Sequence, residues 1–366
     1  MEQIHPSRVL VIDDSAFSRQ AIRRILESSP LIEVVGVARD GEEALRKAIE
    51  LKPDLITLDL EMPRMDGFTF LRLVMSKRPT PVVVVSGRAG QEDVFKALEL
   101  GAVDFIAKPS ARAMPELHSI EEGLIRKVHA IRGMRIEMVS KRIQAPPPVL
   151  SEEISSTEAV RATGRAPVVV LGASTGGPAA LMRIFGAFTE APPCAFFVSL
   201  HMPPVFTRSF AERLDRLTPL RVREAVSGRP AEPGTVLVAP GGHHLEFQST
   251  GSNIETRVRP SLGKDRYTPS VDRLFESAAK AFGEHLLAVV LTGMGDDGRA
   301  GARRVREAGG GVLAESESTA VIYGMPKQVI DAGLVDEVLP LEEIPGAIQR
   351  GLVEISSPRP VAVQGQ

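Results

Sequence analysis

One cysteine, two tyrosines and no tryptophan stand among 366 residues. The lone Cys194 excludes an intrachain disulfide. Its place in the apolar run Cys194–Leu200 (CAFFVSL) marks it as a buried, inert thiol suited to a reducing compartment. No run of about 18 apolar residues occurs, so no bilayer-spanning helix is expected. The residues before Asp13 hold no long apolar stretch, so no secretory leader is expected either, and the expected location is cytoplasmic. An excess of one charge is also missing. Lys and Arg number 44 against 46 Asp and Glu, a net charge of −2, which argues against a broad nucleic-acid or membrane-surface binder. A chain of this length is expected to hold two domains of about 100–200 residues, each large enough to bury a core.

Residues 1–142 alternate short β-rich runs with amphipathic stretches. Arg8–Asp13, Ile32–Ala38, Asp54–Asp59, Pro81–Ser86 and Asp104–Ala107 read as strands, with helical patterns between them. Such βα units imply a parallel sheet covered on both faces, with its ligand site at the carboxyl ends of the strands. Three acids stand at such ends: Asp13 and Asp14 after the first strand and Asp59 after the third. Singly, each is explained by helix capping or surface charge. Together they repel unless a cation lies between them, and oxygen ligands of this kind suit Mg²⁺. Lys108 follows the fifth strand, and Ser86 ends the fourth.

This domain resembles the receiver domain of bacterial response regulators. The motifs that carry the resemblance are VIDDS at Val11–Ser15, LDLEMPRMDG at Leu58–Gly67, VVVSG at Val83–Gly87 and DFIAKPS at Asp104–Ser110. The resemblance implies a flavodoxin-like fold in which Asp59 accepts a phosphoryl group from a histidine kinase. It implies that Asp13, Asp14 and Asp59 hold Mg²⁺, that Lys108 contacts the phosphate, and that Ser86 and Phe105 are switch positions. A carboxylate nucleophile of this sort forms aspartyl phosphates, and a bound metal lets it approach an anionic donor.

A helical pattern from Met114 toward Arg142 gives way to a linker, residues 143–166, with Pro146-Pro147-Pro148 and then a polar run. His118 and His129, on or near that helix, read as surface residues. Strand–helix alternation resumes over residues 167–354, and residues 355–366 read as a tail. Strands are expected at Val168–Leu171, Cys194–Leu200, Thr235–Ala239, Leu286–Leu291, Gly311–Ala314 and Val335–Leu339. Gly241 to His244 read as a turn, and Ile254–Val258 as part of an antiparallel ribbon. Helices are expected at Val205–Leu217, Val271–Phe282 with Ser270 as N-cap, and from near Arg299. The expected fold class is α/β: two doubly wound parallel-sheet domains, the second Rossmann-like with a short antiparallel ribbon.

The segment Pro167–Pro178 (PVVVLGASTGGP) runs from an apolar strand through a small-residue turn into a proline-led helix. Gly172-x-Ser174-x-Gly176 fits a nucleophile elbow, although such a turn is more often a plain connection or a phosphate cradle. The next strand ends at His201, and Leu286–Leu291 runs into a loop holding Asp296 and Asp297. If these strands are neighbours, a hydroxyl, an imidazole and a carboxylate share one sheet edge. Serine needs a base to act as a nucleophile, histidine supplies one worth roughly 10²–10⁴-fold, and an aspartate orients it. His201 taken alone reads as structural, and the aspartates as helix caps. The competing dinucleotide reading fails at two places. Ser174 replaces the glycine that admits pyrophosphate, and His201 replaces the acid expected after the next strand.

The second domain resembles the family of chemotaxis-specific protein-glutamate methylesterases and glutamine deamidases. The resemblance rests on GASTGGP at Gly172–Pro178, HMPPVFTRSFAERL at His201–Leu214, VAPGGHH at Val238–His244, PSVDRLF at Pro269–Phe275, LTGMGDDGRAG at Leu291–Gly301 and YGMP at Tyr323–Pro326. It implies Ser174 as nucleophile, His201 as base and Asp297 as the orienting acid. The loop of the family usually reads GMGNDG, so Asp296 replaces an asparagine; Leu200 stands where relatives carry glutamine. Backbone N–H groups around Thr175, Met294 and Gly295 are the candidate oxyanion donors. The partners implied are a chemotaxis histidine kinase and methyl-accepting chemoreceptors, with no nucleic acid, no membrane insertion and a monomeric state. Mg²⁺ belongs to the receiver chemistry, and no cofactor is expected for ester hydrolysis. Arg208, Arg266 and Tyr323 are candidates to meet an acidic receptor surface, and His243 and His244 read as structural or groove-lining. A response regulator with a non-catalytic second domain is the alternative.

Overall fold

The computed structural model describes residues 5–87, 91–108, 114–132, 166–251 and 253–356. The chain divides into two compact units, Met1–Pro146 and Pro147–Gln366. Among the described residues no helix is long and apolar enough to cross a membrane.

The first unit alternates β1 (Ser7–Ile12), α1 (Ala16–Glu27), β2 (Ile32–Ala38), α2 (Gly41–Leu51), β3 (Leu55–Leu58), α3 (Gly67–Lys77), β4 (Val82–Ser86), α4 (Gln91–Glu99), β5 (Asp104–Ala107) and α5 (Met114–Ile131). The strands form a five-stranded parallel sheet in the order β2-β1-β3-β4-β5. Val9, Leu10, Val82, Val83 and Val84 are completely buried, as the continuous apolar runs of a doubly covered sheet require. Ser15, Asp40 and Asp66 cap α1, α2 and α3 by accepting backbone N–H bonds from Ser18, Glu43 and Thr69. The chain order reverses between β1 and β3, and the carboxyl ends of those two strands carry Asp13, Asp14 and Asp59.

The second unit opens with β6 (Val168–Ala173), α6 (Gly177–Gly186), β7 (Ala195–Leu200), α7 (Pro204–Asp215), β8 (Arg221–Glu224) and β9 (Thr235–Val238). The pair β10 (His243–Thr250) and β11 (Asn253–Pro260) follows. Then come α8 (Val271–Phe282), β12 (Leu286–Val290), α9 (Arg299–Glu307), β13 (Gly311–Glu315), α10 (Met325–Asp331), β14 (Glu337–Leu339) and α11 (Ile344–Ser356). A seven-stranded sheet in the order β14-β13-β12-β6-β7-β9-β8 is parallel throughout, and β10 and β11 form a separate antiparallel ribbon. Both units are thus doubly wound parallel-sheet folds, as expected.

Two local readings are corrected. His243 and His244 open β10; only Gly241 and Gly242 form the turn, with Gly242 at φ 76°. The ribbon needs β10 as partner to β11, because Leu245 and Phe247 pack inward on alternate positions. Edge strand β8 was not expected: RVRE holds one buried apolar residue, Val222. Of the helix expected from Met114 toward Arg142, α5 covers Met114–Ile131; residues 133–165 and 357–366, with the rest of that pattern and most of the expected linker and tail, lie outside the described residues.

Helices α8 and α9 exchange caps. Gly298, before α9, has no side chain to cap it. Asp272, in the first turn of α8, supplies the acceptor: its Oδ1 takes the N–H of Gly298 at 2.9 Å and of Gly301 at 2.7 Å. Asp297, just before α9, does the same for α8 through the N–H groups of Val271 and Asp272. Each carboxylate sits at the positive end of the other helix.

Burial raises the Asp272 carboxyl to about 6, with the neighbouring Asp297 charge adding and the Gly301 and Gly298 N–H donors opposing. The folded chain therefore holds this proton more tightly than the unfolded chain. The contribution to stability is full below the unfolded value near 3.8 and is lost as pH rises through about 6. Chemical denaturation across pH is expected to show the wild-type margin over Asp272→Asn shrinking between pH 4 and 6 and levelling above. A margin that grows over that range would contradict the assignment. Asp272→Ala, which removes the α9 cap, is expected to cost about 0.5–2 kcal/mol.

Candidate active site

Register delivers the site. Ala173, the last residue of β6, pairs with Leu200, the last of β7, so Ser174 and His201 leave neighbouring strands at the same level. Such strands lie about 4.8 Å apart. On the other side of β6, Val290 of β12 pairs with Gly172 and leads into the loop Leu291–Gly298. The chain order reverses between β6 and β12, so the three segments meet at the switch point, where open α/β sheets bind ligands.

Ser174 is half-buried, and its backbone is pinned: its N–H donates to the Thr292 carbonyl at 3.0 Å, and its carbonyl accepts from Gly177 at 2.7 Å. A Cβ on Gly293 would lie 2.7 Å from the Ser174 Cβ, so the loop can approach this closely only with glycine there. Thr292 joins the segments. Its hydroxyl donates to the Thr175 carbonyl at 2.9 Å and accepts the Ile322 N–H at 2.9 Å, while its own N–H donates to the buried Glu315 carboxylate at 2.8 Å.

His201 Nε2 lies 2.8 Å from Asp297 Oδ2. Asp297 is 1% exposed, yet its carboxylate is well satisfied. Oδ2 also accepts the Val271 N–H at 2.7 Å, and Oδ1 accepts the Asp272 N–H at 2.9 Å and the Ser270 hydroxyl at 3.1 Å. Burial pushes this carboxyl up, but the hydrogen bond and charge of His201 and the two backbone donors more than offset it, so its pKa lies below the usual carboxylate value. An ionised Asp297 requires Nε2 to carry the hydrogen, which leaves Nδ1 of the neutral ring as the free acceptor. Among the described residues no hydrogen bond joins Ser174 to His201; the structure brings the two to adjacent positions without closing that contact. The N–H groups of Thr175, Met294 and Gly295, which follow Ser174 and Gly293 in their loops, make no hydrogen bond among the described residues.

Asp296, the second carboxylate of the loop, turns to other partners. Its Oδ1 accepts the Tyr267 hydroxyl at 3.0 Å and pairs with Arg266 at 3.0 Å, and its Oδ2 lies 3.8 Å from Arg299. His244 is buried: its Nδ1 accepts the Ser270 N–H at 3.2 Å and its Nε2 donates to Asp265 at 3.0 Å, which holds the Asp265 carboxyl well below its ordinary range. His243 Nδ1 meets the Gly241 carbonyl at 3.2 Å. Arg208 is exposed and pairs with Glu212 at 3.2 Å, and Tyr323 bridges to Gly293. Sequence reasoning missed Asp272 and Tyr267, and read Ser270 only as a cap. A motif shows which residues end strands, not which helix N-terminus they face.

In the first unit, carboxylate oxygens of Asp13, Asp14 and Asp59 lie within 4.8 Å of one another. Lys108 Nζ lies 2.5 Å from Asp59 Oδ2 and 3.1 Å from Asp13 Oδ2. Burial raises Asp59 to about 6; Lys108 opposes this and Asp13 adds to it. Burial also raises Asp13, despite Lys108. An all-oxygen donor set of like charges, with Asp13 Oδ2 buried and lacking a well-directed hydrogen bond, fits a hard divalent cation such as Mg²⁺. Ser86 is buried at the end of β4, with its hydroxyl 3.3 Å from the Gly87 carbonyl, and Phe105 is buried edge-on against Phe95 with centroids 6.1 Å apart. His129 Nε2 meets Ser29 Oγ at 3.1 Å; the side chain of His118 lies outside the described residues.

Residues 169–348 match the family described as CheB methylesterase, and residues 9–119 match the response regulator receiver domain. The chain is 50% identical over 353 residues to protein-glutamate methylesterase/protein-glutamine glutaminase 3 of Geobacter sulfurreducens, covering 92% of this chain and 95% of that protein. It is 42% identical to protein-glutamate methylesterase/protein-glutamine glutaminase 2 of Pseudomonas aeruginosa, covering 94% and 96%. The crystal structure of the Thermotoga maritima CheB methylesterase catalytic domain is similar over 52% of this chain and 99% of that chain, at 40% identity and a TM-score of 0.49.

The seat of Asp297 sets a measurable cost. Asp297→Ala leaves the Ser270 hydroxyl and two buried N–H groups without their acceptor, and is expected to lower stability by about 2–4 kcal/mol. Because the folded carboxyl lies below its unfolded value, that margin is full above about pH 4 and shrinks as pH falls further. Denaturant midpoints of the two chains at pH 7 and pH 3 check both statements.

Proposed function

The chain belongs to the CheB methylesterase family, with a receiver domain ahead of the methylesterase domain, and on that premise we propose that it is a phosphorylation-activated serine esterase. It demethylates glutamate methyl esters on chemoreceptors, releasing methanol, and deamidates selected receptor glutamines, releasing ammonia. The observation that carries the reading is the bond from His201 Nε2 to an ionised Asp297, one register step from Ser174.

Ser174 Oγ attacks the ester carbonyl carbon as His201 Nδ1 takes its proton. Asp297 stabilises the imidazolium without itself being protonated. The unused N–H groups of Thr175, Met294 and Gly295 receive the developing oxyanion, each worth roughly 10²–10³ in rate. His201 returns the proton to the departing methoxy oxygen. Water, deprotonated by the same nitrogen, then attacks the acyl-serine carbonyl carbon, and His201 passes that proton to the departing Ser174 Oγ as the glutamate carboxylate is freed. The base is thus Nδ1, with Nε2 given to the aspartate.

In the receiver, Asp13, Asp14 and Asp59 would hold Mg²⁺, which when bound offsets the charge of an incoming phosphoryl group. Asp59 is the acceptor, Lys108 contacts the phosphate, and Ser86 and Phe105 respond to it. The phosphodonor is a chemotaxis histidine kinase. Phosphorylation shifts the population toward a form whose esterase site admits a receptor helix.

Labelled methanol release from receptor membranes, with and without a small-molecule phosphodonor, tests the whole reading. Ser174→Ala is expected to abolish release while Asp59 still accepts phosphate; surviving release removes Ser174 from its role. Asp59→Asn is expected to keep basal release and lose stimulation, and a stimulated Asp59→Asn chain refutes the switch.

A further inference from the structure

One hydrogen bond fixes a direction but not a plane. The Nε2–H of His201 points at Asp297, and about that line the imidazole can still swing, carrying Nδ1 toward or away from Ser174. A second contact removes this freedom. The Tyr267 ring lies parallel to the His201 ring, 4° between planes and 5.0 Å between centroids, an offset-stacked pair. Tyr267 is itself held. Its hydroxyl donates to Asp296 Oδ1 at 3.0 Å, and Arg266 pairs with the same oxygen at 3.0 Å while its guanidinium lies 5.0 Å from the centre of the Tyr267 ring. The slot for the phenol depends on Gly295. Its φ of 93° belongs to the left-handed region, and any Cβ there would collide with the Tyr267 hydroxyl.

We infer that Tyr267 is a positioning residue for the esterase step, setting the plane of His201 so that Nδ1 faces Ser174 Oγ, with Asp296 and Arg266 as its anchors. The inference rests on the reading of Ser174 and His201 given above. It also assigns Asp296 a role distinct from that of Asp297: one carboxylate aims the imidazole along its edge, the other holds the ring that braces its face. Near-attack geometry is sensitive at this level, since a displacement of about 1 Å can cost on the order of 10²-fold in rate.

The test uses the full chain with Tyr267→Phe and Tyr267→Leu. Two readouts are taken: kcat and KM for methanol release from receptor membranes, and the rate at which diisopropyl fluorophosphate modifies Ser174, which involves no receptor docking. Tyr267→Leu is expected to lower kcat by about 10–100-fold with KM within about twofold, and to slow Ser174 modification in parallel. Tyr267→Phe, which keeps the ring but loses its hydroxyl anchor to Asp296, is expected to fall between wild type and Tyr267→Leu on both readouts. Wild-type kcat and modification rate in Tyr267→Leu would overturn the inference, as would a rise in KM alone. A Tyr267→Phe loss as large as that of Tyr267→Leu would overturn it too. Should Tyr267→Leu fail to fold, Asp296→Ala, which frees the phenol, is expected to lower kcat and the modification rate together, and unchanged rates would overturn the inference. Absence of modification at Ser174 in the wild type would overturn the nucleophile reading, and this one with it. Its presence beside an indifferent Tyr267→Leu overturns this inference alone.

Discussion

The candidate site of the second unit depends on a buried carboxylate resting on the start of a helix. A charge as buried as Asp297 is costly unless its lone pairs are occupied, and here all four acceptor positions have a donor: two backbone N–H groups, one hydroxyl and one imidazole. The first three belong to Ser270, Val271 and Asp272, at the α8 N-terminus. That terminus is pressed against the central strand, since any side chain on Gly172 would occupy the space of Val271. The position of His201 is therefore referred, through Asp297, to the helix–sheet packing of the core. Rigid placement of this kind makes a fixed dipole catalytically useful, because it needs no rearrangement when charge develops.

The capping exchange extends this frame. Asp297 at the α8 terminus and Asp272 at the α9 terminus are near neighbours of like charge, and they divide the consequence unequally. The His201 bond keeps Asp297 ionised, while burial and the Asp297 charge push Asp272 up to about 6. Environments that drive two carboxyls apart in this way separate their roles. One is an electrostatic anchor for the imidazole. The other is a structural cap that tolerates a proton.

Much of this was legible in the sequence. The strands that carry the site are buried on both faces, so they read as unbroken apolar runs, and β2, β5 and α8 fall where their patterns put them. That Ser174, His201 and Asp297 come to one end of the sheet was legible because each follows such a run. The failures have a common cause in elements with little to bury. β8 sits at the sheet edge and has one buried side chain, so its pattern is indistinguishable from charged loop. At the start of β10 the double glycine drew His243 and His244 into the turn, although Leu245 and Phe247 alternate as a strand should. Tyr267 was invisible for another reason. It lies in the segment between β11 and α8, and no period in the sequence records which ring a loop residue meets.

The two sites answer the same electrostatic problem in opposite ways. Both occupy the switch point of a parallel sheet, and both gather acidic groups there. In the second unit the opposing donors are His201 and the fixed backbone N–H groups of Asp272 and Val271, and together they hold the Asp297 carboxyl below its ordinary value. In the first unit one flexible side chain, Lys108, serves both Asp13 and Asp59, and both carboxyls remain above their ordinary values. An arrangement satisfied by its own folded donors is ready at all times. One left short of positive charge responds to what binds it. On the proposed reading, it is the receiver whose charge is conditional while the geometry around Asp297 stays fixed, because a switch in the Asp297 charge itself would loosen the contacts that hold His201.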